Sequence, residues 1–63
     1  MHLDTRDTLM KKMLDAQENV RDYESFSKRI EDDEVVNAFK EFAEQSGHQA
    51  RKLKELLNKY ESK

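Results

Sequence analysis

The residues with chemical potential cluster in one stretch of the second half, FAEQSGHQARKL, from Phe42 to Leu53. His48 follows Glu44 by four positions and Glu41 by seven, which on a helix puts two carboxylates and an imidazole on one line. Together with Glu18, Glu44 and His48 are the side chains able to offer a divalent metal a surface site. The same spacing also produces ordinary exposed Glu–His pairs, which contribute only surface ion-pair energy. The heptad pattern turns this line outward, and the expectation is a solvated face with no metal. His2, at the start of the chain, reads as an end-fraying residue. No nucleophile lies beside a base, and no phosphate loop or cofactor motif is present, so no catalytic and no cofactor-binding residue is assigned.

The other unusual residues of the stretch are Ser46 and Gln49, which fall where the helical rhythm asks for apolar side chains. The apolar positions run Val35, Phe39, Phe42, Ser46, Gln49, Leu53, Leu56 and Tyr60, in steps of four and three. That is a heptad seam. A second line, Val36, Ala43, Ala50 and Leu57, lies beside it and widens the apolar face beyond what a two-stranded coiled coil needs. The first half carries the same rhythm through Leu9, Met13, Ala16, Val20, Tyr23, Ser27 and Ile30, flanked by Met10, Gln17 and Phe26.

These lines need two helices to position them. Asp4 or Thr5 suits the first N-cap, with Asp7 in the first turn, and Asp32 or Asp33 suits the second, with Glu34 following. The spacing predicts one domain over residues 1–63, with a helix over about 5–31, a corner over about 31–34 and a helix over about 34–61. A single continuous helix is the competing reading, because nothing in EDDE forbids helix. With the corner centred near residues 32 and 33, positions pair across the hairpin when their numbers sum to about 65. Gln17, Ser46 and Gln49 are then expected to form one polar layer that fixes register, since buried amides must find hydrogen-bond partners.

Length and composition say what such a hairpin needs. A chain of 63 residues buries only about 60% of its unfolded surface, and with no cysteine it has neither disulfides nor thiolate zinc sites to compensate. Self-association is the remaining route. Charged residues make up 41% of the chain, with one glycine and no proline, which favours long helices with solvated outer faces. The net charge of −2 is mixed in sign and offers no basic field for nucleic acid. No apolar run is long enough for a signal peptide or membrane span, so the expected location is cytoplasmic.

The expected architecture is therefore all-α: an antiparallel hairpin that dimerises, or assembles further, into a four-helix bundle. Its expected core and dimer interface comprise Leu9, Met13, Val20, Tyr23, Phe26, Ile30, Val35, Phe39, Phe42, Ala43, Ala50, Leu53, Leu56, Leu57 and Tyr60. Gly47 is expected on the outer side of the second helix.

The run FKEFAEQSGHQARKLKELL resembles the second helix of rubrerythrin-type ferritin-like proteins, whose pattern is F-x-x-x-A-E-x-E-x-x-H-A-x-K-L. Matching Phe42, Ala43, Ala50, Lys52 and Leu53 puts the family's metal-binding glutamate at Ser46 and its histidine at Gln49. The run LMKKMLDAQENVRDYESFSKRIEDDEVVNAF resembles the preceding helix and corner, with the first-helix glutamate falling at or beside Gln17, Ala16 being the alternative from the spacing to Tyr23. The resemblance covers about 50 residues and implies half of a ferritin-like bundle. It also implies that the metal ligands are replaced, because neutral amides and a hydroxyl cannot hold multiply charged iron as carboxylates and imidazoles do. The expected function is a non-enzymatic, self-associating assembly or protein-interaction module with no cofactor. The alternative is an iron or other divalent-metal protein with its site at a dimer interface, and with it residual di-iron oxidase or peroxidase chemistry.

Overall fold

The computed structural model describes residues 4–61 as two α-helices that fold back on one another. Helix α1 spans Thr5–Ser27 and α2 spans Asp33–Glu61. Among the described residues there is no strand, and no helix is long and apolar enough to cross a membrane. His2 lies outside the described residues.

Capping chemistry sets both helix starts. The Asp4 backbone is extended, and its Oδ1 accepts from the Asp7 N–H at 2.7 Å, while its carbonyl accepts from the Thr8 N–H and the Thr8 hydroxyl, both at 3.0 Å. These bonds satisfy donors that the first turn otherwise leaves open. Asp32 does the same for α2: its Oδ1 accepts from the Glu34 N–H at 2.9 Å and the Val35 N–H at 3.2 Å.

The corner is longer than EDDE alone suggests. Helix α1 stops at Ser27, four residues before the expected end, and residues 28–32 make the connection. The Arg29 N–H bonds the Phe26 carbonyl at 3.0 Å, which tightens the final turn, and the Ser27 hydroxyl donates to the Glu24 carbonyl at 2.8 Å. A cap at Asp32 requires the preceding residues to leave the helix, and an antiparallel return needs several residues to reverse direction.

The helices meet along small residues. Ala16 of α1 and Ala43 and Ser46 of α2 are buried at mid-interface, and Leu57 is buried towards the open end. Small side chains let the backbones approach closely, but they enclose little volume. No large side chain is fully buried among the described residues. Leu9, Met13, Val20, Ile30, Phe39, Ala50, Leu53 and Leu56 are half-buried. The molecule is an elongated plank with principal extents of 47 × 24 × 13 Å. Its radius of gyration is 14.4 Å, against about 10.6 Å for a compact domain of this length.

Candidate interaction face

Two contacts orient the broad sides of the plank. On one side, Tyr23 packs against Phe39 and Phe42, with ring centroids at 5.2 and 5.5 Å. On the other, Gly47 faces Val20: a Cβ built on the glycine lies 3.9 Å from Val20 Cγ2. The expectation that Gly47 sits on the outer side of α2 is thus corrected. It is half-buried at the edge of the helix interface, because the α1–α2 contact is centred on the Ala43 and Ser46 strip and not on the wider seam.

Heptad spacing extends the first side along α2. Val35, Gln49 and Leu56 stand at seven-residue intervals from Phe42, about two helical turns, and Tyr60 follows Leu56 by four. On α1, Phe26 lies one turn beyond Tyr23, towards the same side of the hairpin. The side chains there are poorly covered: Phe26 is 51% exposed, Val35 36%, Phe42 39% and Tyr60 47%. Exposed apolar side chains scattered singly are ordinary, but a line running most of the length of a helix is not. Leu14 is also exposed, two positions from buried Ala16 and so on the far side of α1, apart from that line.

The expected polar layer does not form within one hairpin. Ser46 is buried at 6% exposure, but Gln17 and Gln49 are both exposed. Gln49 shares the Phe42 side, whereas Gln17, one turn before Val20, lies on the Gly47 side. The central strip is only about one residue wide to either side of Ser46, so the two amides fall on opposite flanks. Among the described residues, no buried side-chain nitrogen or oxygen lacks a hydrogen-bond partner.

The metal candidates are all at the surface. Glu18, Glu44 and His48 are exposed, and no group of three or more His, Cys, Asp or Glu side chains among the described residues is placed to hold an ion. A shallow groove on the Gly47 side is lined by Val20, Glu24, Lys40, Ala43 and Glu44. It pairs two carboxylates with one ammonium over an apolar floor and contains no histidine.

Around α1 the charges form surface pairs. Asp15 accepts from Lys11 Nζ at 3.0 Å, with Lys12 Nζ at 3.6 Å. The Lys11 hydrogen bond lowers the Asp15 carboxyl below its usual range; desolvation opposes it, and the positive charges of Lys11 and Lys12 add to the lowering.

Of the residues on the Phe42 side, Ala38 was not singled out by the periodicity, although it lies beside Val35 and Phe42 on that face. It is half-buried. The signal was available in its spacing, four positions before Phe42. Comparison of the chain with protein-family models, with curated proteins and with solved structures finds no match.

Proposed function

We propose that this chain is a non-enzymatic helical hairpin that self-associates through the Phe42 side of α2, closing a ferritin-like four-helix bundle and serving as an assembly or interaction module. The carrying observation is the surface that one hairpin leaves uncovered. The hairpin exposes 5305 Å². A compact monomer of 7.5 kDa is expected to expose about 4,200 Å², so the excess is on the order of 1,000 Å² per chain. A standard protein interface takes about 800 Å² from each partner. The excess and the line of exposed Val35, Phe42 and Tyr60 with half-buried Leu56 coincide on the same molecule, and a second copy is an occupant that can match an apolar seam with an identical one.

The resemblance to rubrerythrin-type helices supports the same reading of the fold. Ser46 and Gln49, where that frame carries glutamate and histidine, leave the hairpin without anionic or imidazole ligands in its seam. Burying the Ser46 hydroxyl costs less than burying an unpaired carboxylate, and Gln49 lies at the hairpin surface, which supports a hairpin that packs without a metal.

The test is thermal unfolding at several protein concentrations, with elemental analysis of protein purified without chelators. Self-association makes the midpoint rise with protein concentration. A midpoint independent of concentration contradicts the proposal, and so does a stoichiometric transition metal whose removal unfolds the protein.

A further inference from the structure

We infer that the two hairpins pair head to tail, α2 crossing α2 of the second copy antiparallel, with Gln49 at the two-fold axis. The inference rests on the self-association reading and adds its geometry.

Charge decides the direction. The hairpin is electrically polar along its length. Residues 16–47, which form the half containing the corner, carry nine acids and four bases, a net −5. The remainder of the chain, whose described part forms the open end, carries eight bases and five acids, a net +3. Because α1 and α2 run antiparallel, the acidic parts of both helices lie together, and so do their basic parts. A parallel pair would set −5 beside −5 along half its length. A head-to-tail pair sets −5 against +3 at both ends. The gradient of α2 also suits its own macrodipole, but that does not alter what a second copy meets.

The position of the axis follows from matching like with like. With the two-fold at Gln49, an antiparallel α2 pair brings together positions whose numbers sum to 98. Gln49 then meets its own copy, so the amide that interrupts the seam has an amide as its partner. Phe42 meets Leu56, and Ala38 meets Tyr60, a small residue against a large one. Moving the axis by half a heptad would instead set Phe42 against Gln49 and leave both amides facing apolar rings. Gln49 also lies near the middle of the hairpin, so this axis keeps the overlap of the two planks close to complete.

The absence of cysteine makes the test clean. Asn37 is exposed, and Asn37→Cys carries one nitroxide label per chain for pulsed dipolar spectroscopy at low salt. Twelve residues from the axis on each chain, the two labels are expected about 36 Å apart along α2 at 1.5 Å per residue. Gln49→Cys, read in parallel, is expected to oxidise to a disulfide-linked dimer. A label separation below about 20 Å, as parallel α2 helices would give at 8–10 Å between axes, overturns the inference while leaving self-association intact. So does a long separation without the Gln49→Cys disulfide, which would put the contact on another face. A monomeric mass with no dipolar signal removes the self-association reading itself.

Discussion

Tyr23 of α1 and Phe42 of α2 stack across the hairpin with ring centroids 5.5 Å apart and planes at 57°. Phe39 completes the cluster, 5.2 Å from Tyr23 in an edge-to-face arrangement and 6.4 Å from Phe42. Aromatic pairs in such geometries contribute about 0.5–1.5 kcal/mol beyond the area they bury. A double-mutant cycle of Tyr23→Ala and Phe42→Ala, read by urea unfolding at one fixed protein concentration, is expected to return a coupling in that range. Strict additivity of the two losses would mean that the rings do not interact.

Gly47 is the chain's one glycine, and it has an ordinary helical backbone without positive φ. An alanine methyl there would sit 3.9 Å from Val20 Cγ2, a normal contact. Gly47→Ala therefore gains helix propensity without a clash, and a stabilisation of about 0.5–1 kcal/mol is expected from the urea midpoint. A net loss of stability would show that the helices approach more closely at Val20 than this spacing allows.

The start of α2 depends on Asp32, whose carboxylate holds the Glu34 and Val35 amides. Asp32→Ala is expected to cost about 1 kcal/mol, and Asp32→Asn, which keeps the accepting oxygen, far less. Equal losses in the two variants would assign the effect to charge and not to capping.

Asp15 contributes one pH-dependent element of stability. Its carboxyl is lowered from the ordinary 3.8, first by the Lys11 hydrogen bond. A depressed folded pKa stabilises the fold above the unfolded value, and that contribution disappears as pH falls through the lower folded value. The group is solvent-exposed, so the effect is small and is screened by salt. In low salt, Asp15→Asn is expected to lower stability slightly at neutral pH, where the contribution is present, and to flatten the acid limb below pH 3.8 so that the two proteins converge in acid. An unaltered acid limb would remove the Lys11 pair from the account.

The parts of the fold legible in sequence are those carried by period and register. The alternation of four and three from Val35 to Tyr60 requires a helix with a broad apolar face, and the expected pairing sum of about 65 is met by Tyr23 with Phe42. The end of α1 was not legible, because Lys28, Arg29, Ile30 and Glu31 are all compatible with helix and neither glycine nor proline marks the stop. The fate of the seam residues was also hidden. A wide apolar face does not say which strip meets the sister helix and which is left over. The small residues Ala16, Ala43 and Ser46 take the intramolecular contact, and this choice separates Gln17 from Gln49 and turns Gly47 inward. Heptad position alone assigns Ser46 and Gln49 to one seam, whereas packing buries one and exposes the other.

The central claim is that one hairpin is incomplete and a second copy covers the Phe42 side. Sedimentation equilibrium across a hundredfold range of protein concentration tests it most directly. The expected result is a species of twice the 7.5 kDa chain mass that dissociates on dilution. Phe42→Asp, which places a charge in the seam, should dissociate at a much higher concentration. A fully helical protein that keeps the single-chain mass at every concentration would contradict the account.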